Sequence, residues 1–178
     1  MTKSITSALL GKAIMEGHIT GLEQAVGDFF PKFKNTGLTV GDLSSMASGL
    51  DWEESYTSPF SITARSYYDD DLAETILGLE VTETPGESFK YLSGNTQLLG
   101  MVIQKATGTP LADYLEQTLW QPMGAVQPAL WQVDDDENRL VKAYCCIASN
   151  ARDFARLGKL YKDYGNWISQ NIDNAVKY

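Results

Sequence analysis

The chain has 178 residues, of which 43 % are hydrophobic and 21 % charged, with 15 glycines and 6 prolines in no repeating period. That length is one domain, residues 1–178, able to bury a core without metals or disulfides, and the composition excludes fibrous and disordered chains. The net charge of −9 repels phosphate backbones and excludes nucleic acid as a partner.

A helix is predicted over residues 2–16. Ile5, Leu9 and Ala13 share one face and Leu10 and Ile14 another, so the helix belongs inside a larger protein rather than on its surface. The pattern begins at residue 2 with no leader, which reads as a cut or an internal start. Thr20-Gly21-Leu22-Glu23 has capping-box spacing and predicts a short helix to residue 30, before Pro31. Thr39-Val40-Gly41-Asp42 opens another through residue 47. Residues 51–68 read as irregular, residues 69–77 as helix, and Pro85-Gly86-Glu87 as a turn. A helix over 96–105 precedes Gly108. Thr109 is then an N-cap with Pro110 at the first helical position, and Leu111, Tyr114, Leu115 and Leu119 form the stripe that Pro122 stops. Residues 123–148 are mostly loop, with short strands near Trp131 and Tyr144. Asn150 caps a helix carrying Phe154, Leu157 and Tyr161, ended by Gly165, and Ile168, Ile172 and Val176 predict a last one. The class is mainly α with long loops, and no apolar run approaches the ~20 residues of a membrane span.

Several side chains invite a functional reading. Cys145 and Cys146 are adjacent, a spacing that rarely meets disulfide geometry, so they read as two small half-buried hydrophobes. Asp134-Asp135-Asp136-Glu137 lacks the spaced ligands and glycine of a calcium loop and reads as a solvated loop. His18 reads as a surface residue beside a turn. Trp52, Tyr56, Phe60, Tyr67 and Tyr68 either line a cleft or fill the core beneath a long loop.

Five stretches, in order, carry a resemblance. Thr2-Lys3-Ser4-Ile5-Thr6-Ser7-Ala8-Leu9-Leu10-Gly11 is similar to the segment after the nucleophile in serine β-lactamases and penicillin-binding proteins, especially the class C, esterase and amide-hydrolase branch. Residues 38–50, with Thr39, Asp42, Leu43, Met46, Ser48 and Gly49, resemble a second signature, and residues 85–100 the Tyr-x-Asn segment. Leu119-Trp120-Gln121-Pro122-Met123-Gly124 and Ala151-Arg152-Asp153-Phe154-Ala155-Arg156-Leu157-Gly158 complete the set, over about residues 1–167. The resemblance implies the helical subdomain of the β-lactamase/transpeptidase-like α/β fold, without most of its sheet. It also implies a serine hydrolase acting on a small amide, ester or lactam through an acyl-enzyme, with no cofactor or metal. Members are often periplasmic or secreted, which leaves the compartment of this chain open.

The motif Ser-x-x-Lys puts its lysine on Lys3, and its serine would stand one residue before Met1. A serine hydroxyl needs a base, and a lysine one helical turn on can serve once it sheds a proton. By resemblance Lys3 is that base, Tyr91 supports the proton traffic, and Ser93 holds substrate or the lysine where the family more often has Asn. Asn95 is the residue placed to compensate. Ser4 and Ser7 are rejected as substitute nucleophiles, the first on direction and the second on burial. At a frayed helix start Lys3 is expected to be solvated and ordinary, and the 178 residues are expected to be inactive alone. A non-catalytic helical binding module is the alternative. Because one face of the first helix would pack on an absent sheet, a homodimer through that helix is expected, with a tail folded back over it as the other cure.

Overall fold

The computed structural model of the protein describes residues 1–68 and 70–167. The terminal helix expected from Ile168, Ile172 and Val176 lies outside the described residues.

Helix α1 (Thr2–Met15) runs through the middle of the molecule. Ile5, Ala8, Leu9, Leu10 and Ala13 have no exposed surface. Helix α5 (Ser93–Thr107) packs along α1, and Thr6 Oγ1 donates to the Ala143 carbonyl at 2.9 Å. Both apolar faces are therefore covered within the chain, with Ile14 half-buried. Among the described residues α1 therefore shows no bare apolar face of the kind from which a homodimer is expected.

The Thr20 box does not form. The Thr20 N–H and hydroxyl both reach Gln24 Oε1, at 2.7 and 3.1 Å, and the chain makes only 3-10 turns at Val26–Asp28 and Pro31–Phe33. Gly21 and Gly27 lower helix propensity in that stretch. The Thr39 box does form. Asp42 N–H donates to Thr39 Oγ1 at 3.1 Å and Thr39 N–H to Asp42 Oδ2 at 2.9 Å, opening α2 (Val40–Ser44). Thr39→Ala is expected to cost about 1 kcal/mol by thermal unfolding. An unchanged melting temperature would mean that packing alone holds α2.

Helix α3 (Ile62–Tyr68) stands where irregular chain is expected. A local cap and a longer-range bond decide it: Ser61 Oγ accepts from Ala64 N–H at 3.1 Å, and Thr63 Oγ1 donates to the Glu53 carbonyl at 2.7 Å. Helix α4 (Leu72–Leu77) begins later than expected because Asp71 caps it, accepting from Glu74 N–H at 2.7 Å. After α5, Gly108 takes a left-handed φ of 66°, as its position past the helix end predicts. The N-cap of α6 (Leu111–Leu115) is Pro110, not Thr109, whose hydroxyl turns back to the Thr107 carbonyl. A π-turn over Glu116–Trp120 extends α6 towards Pro122. Strands β1 (Leu130–Trp131) and β2 (Ile147–Ala148) pair antiparallel, with Leu130 opposite Ala148. Asn150 caps α7 (Ala151–Lys162) by accepting from Asp153 N–H at 2.9 Å. The buried hydrophobics form one cluster from Ile5 of α1 to Leu160 of α7.

The cysteine reading is corrected. Cys145 and Cys146 are joined to each other by a disulfide, where the backbone turns sharply with Cys146 at φ 66°.

Candidate active site

Lys3 sits in the first turn of α1, and α1 and α5 start at the same end of their shared interface. A cleft of about 550 Å³ opens there, lined in part by Lys3, Ser4, Ser7, Tyr91, Tyr144 and Tyr161. Lys3 Nζ donates to Ser93 Oγ at 3.3 Å and to the Tyr144 carbonyl at 3.1 Å. The Tyr91 ring centre lies 5.2 Å from the same nitrogen and the Tyr144 ring centre 5.5 Å. The structure thus brings Lys3, Tyr91 and Ser93 together. It corrects the picture of Lys3 as a solvated lysine: the side chain is half-buried. Burial pulls its pKa below the ordinary lysine value, and the negative charge of Glu54 partly opposes that.

Ser93 is the first residue of α5, whose N-cap, Leu92, has no side chain able to accept a hydrogen bond. The helix N-terminus is instead closed by a carboxylate from far along the chain. Glu54 Oε2 accepts from the Ser93 backbone N–H at 2.7 Å, and Glu54 Oε1 accepts from the Ser93 hydroxyl at 2.7 Å. A carboxylate suits the positive end of a helix. Trp52 Nε1 donates to the same carboxylate at 2.8 Å, and so does the Tyr56 hydroxyl. Burial disfavours the Glu54 anion, but these donors outweigh it and hold its pKa below the usual carboxylate value. The Tyr56 phenol, facing that anion, is pushed up to about 12.

The segment that carries the Tyr144 carbonyl is held from several sides. Gln97, wholly buried on α5, donates to the Val141 carbonyl at 3.0 Å and accepts from Ala143 N–H at 2.7 Å. Trp131 Nε1 donates to the Lys142 and Cys145 carbonyls, both at 3.0 Å. The Tyr144 hydroxyl donates to the Ser66 carbonyl at 2.9 Å, and its ring meets Tyr67 edge-on at 5.4 Å.

Other expected residues sort out by environment. Asn95 does not compensate at Ser93: it is wholly buried, accepts from Ser48 Oγ and points its amide at Met46 Sδ, 3.5 Å away. Ser4 and Ser7 both line the cleft. Ser7 is half-buried and interacts with the Tyr161 hydroxyl, which donates to the Ser4 carbonyl. The aromatic stretch divides: Trp52 is 5 % exposed and belongs to the core, whereas Tyr56, Phe60 and Tyr68 are exposed. Asp134 and Asp135 accept backbone N–H groups of their own turn, from Leu140 at 2.8 Å and from Asn138 at 2.6 Å. Thr96 lines the cleft, and its buried hydroxyl has no hydrogen-bond partner among the described residues. Sequence reasoning missed Glu54 and Tyr144. A carboxylate inside the aromatic stretch 52–56 was the signal for the first.

The β-lactamase family model matches residues 1–176. The 6-aminohexanoate-dimer hydrolase of Paenarthrobacter ureafaciens is 28 % identical over an alignment of 178 positions that covers 93 % of this chain and 45 % of that protein. Among solved structures, the octameric penicillin-binding protein homologue of Pyrococcus abyssi superposes with a TM-score of 0.74 at 23 % identity, over 98 % of this chain and 45 % of that one. A class C β-lactamase mutant superposes with a TM-score of 0.71 at 18 % identity, over 98 % of this chain and 53 % of that one. The chain spans from 25 % to 45 % of the length of such curated relatives. The mainly helical architecture is a helical portion of the β-lactamase/transpeptidase-like fold, as the motifs implied. No described helix is long and apolar enough to cross a membrane.

Proposed function

The chain belongs to the β-lactamase family, and from that premise we propose that it carries the base side of an acyl-transfer site. Lys3 is the general base, Tyr91 supports the movement of the proton, and Ser93 orients the lysine. The substrate is a small amide, ester or lactam, opened through an acyl-enzyme on a serine. One relative is named for hydrolysis of the 6-aminohexanoate dimer, which supports the amide among these. The observation that carries the reading is the half-buried Lys3 amine, held by Ser93 Oγ and the Tyr144 carbonyl at the edge of a cleft. Its lowered pKa makes the neutral, proton-accepting form accessible nearer to neutrality than in a solvated lysine. The serine of Ser-x-x-Lys is not among the 178 residues, so these residues alone form no acyl-enzyme.

Two measurements test this. Incubation with penicillin or a fluorophosphonate is expected to leave the intact mass unchanged. A stoichiometric adduct on Ser4, Ser7 or Ser93 would overturn the assignment of roles. An activated ester near neutral pH is expected to acylate Lys3 ahead of the other lysines. Labelling of Lys3 no faster than that of surface lysines would remove it as the base.

A further inference from the structure

We infer that Glu54 is a positioning residue for Lys3: by accepting the hydrogen bond of the Ser93 hydroxyl, it makes Ser93 an obligate acceptor towards Lys3 and leaves the third position on the Lys3 nitrogen open. The inference rests on Lys3 as the base of the preceding section, and it extends that reading to a residue outside the family motifs.

The argument is a count of donors and acceptors. The Ser93 hydroxyl has one hydrogen, and it goes to Glu54 Oε1 at 2.7 Å. Towards Lys3 Nζ, 3.3 Å away, Ser93 Oγ can then only accept. The Tyr144 carbonyl, the other partner of Lys3 at 3.1 Å, can only accept as well. A neutral amine has two N–H bonds and one lone pair. Two fixed acceptors take the two N–H bonds, and the lone pair is left to receive a proton. Were Glu54 uncharged, the Ser93 hydroxyl could turn and donate into that lone pair, which would block the base.

Glu54 is itself held. Ser93 N–H, Ser93 Oγ–H, Trp52 Nε1–H and Tyr56 Oη–H converge on its two oxygens, so the carboxylate has little freedom to leave. The groups around Lys3 are the Tyr91 and Tyr144 rings and the charge of Glu54, and Met1 and Tyr161 line the same cleft. Tyr56 and Tyr67 lie on the Glu54 side. Glu54 is the carboxylate whose charge acts on the lysine.

The test is competitive acetylation of Lys3 as a function of pH, read by peptide mass spectrometry in the 178-residue chain and its variants, with circular dichroism to confirm folding. In Glu54→Gln the titration midpoint of Lys3 is expected to fall, because the ammonium loses its countercharge and the amine gains a donor. Labelling below the midpoint, taken relative to each protein's own high-pH plateau, then rises roughly three- to tenfold. The high-pH plateau is expected to fall roughly fivefold, because the lone pair is now hydrogen-bonded. The double variant Glu54→Gln/Ser93→Ala restores the plateau, which a loss of structure would not do. Glu54→Asp keeps the charge and is the second variant: its midpoint stays nearer the wild-type value than that of Glu54→Gln. A midpoint that rises or stays fixed in Glu54→Gln overturns the inference, as does an unchanged plateau. If Lys3 is selectively acylated in the wild type yet does not respond to Glu54, the inference fails and the proposed function stands. If Lys3 is not selective even in the wild type, the functional reading fails first.

Discussion

Lys142→Ala is expected to destabilise the protein by about 2–5 kcal/mol, the range for deleting a buried side chain of methionine size. Lys142 is 1 % exposed, although it is a lysine. Its Nζ donates to the Tyr67 carbonyl at 2.6 Å and lies 5.8 Å from the centre of the Tyr67 ring. That carbonyl belongs to the last turn of α3, where orphan acceptors need donors. Alanine leaves both a cavity and an unpaired carbonyl. Lys142→Met keeps the volume and removes the burial of a charge, so it is expected to cost much less than alanine in urea unfolding. Equal losses for Ala and Met would show that the ammonium, not the stem, carries the stability.

The pH dependence of that pair gives a signed check. Burial holds the Lys142 pKa below the ordinary lysine value, with the charge of Asp134 opposing. Between the folded and unfolded values the unfolded chain binds more protons, so stability rises with pH across that window. Wild type is therefore expected to gain on Lys142→Met as pH rises through the folded Lys142 pKa towards the unfolded value of about 10.4. Below the folded pKa the difference is flat. A difference that moves towards Met over the same window would contradict the buried lysine. Lys3 contributes a rise of the same sign to both proteins and cancels in the comparison.

What the sequence made legible depended on how far apart the cooperating residues stand. The Thr39–Asp42 box and the Asn150 cap each act over three positions, and their residue types name the contact before any fold is known. Helices α1, α5 and α7 follow from apolar spacing, and Gly108 from its place after the last turn. Lys3, Tyr91 and Ser93 came from motif order. Their environment did not, because the bonds that define it close loops of 90 residues to Ser93 and 141 to the Tyr144 carbonyl. Glu54 reaches Ser93 across 39 positions and leaves no periodic trace. The same holds for α3, whose Thr63 and Ser66 are weak helix formers until tertiary bonds engage them. The coverage of α1 was misjudged for the same reason. A helix apolar on several sides demands burial, but the sequence does not say that α5 and the segment at Ala143 supply it.

Gly94→Ala tests whether close packing at the head of α5 holds the site together. By propensity alone, alanine in a helix should gain up to about 1 kcal/mol over glycine. The surroundings oppose it. A Cβ on Gly94 would stand 2.7 Å from Trp52 Cε3, closer than real Cβ contacts allow, and a tight 3.0 Å from Trp52 Cδ2. Trp52 is 5 % exposed and anchored by its bond to Glu54, so it cannot move without disturbing that carboxylate. The expected result is a net destabilisation of about 1–3 kcal/mol, the usual cost of overpacking a core. Displacing the indole also loosens Glu54, the group that closes the N-terminus of α5 and fixes the Ser93 hydroxyl. Lys3 labelling should therefore change in the same direction as in Glu54→Gln, although Gly94 touches neither residue's charge. Urea unfolding and Lys3 acetylation on one sample separate the two effects. A Gly94→Ala protein more stable than wild type, with its Lys3 profile unmoved, would mean that the indole yields freely and that Glu54 holds its place without it.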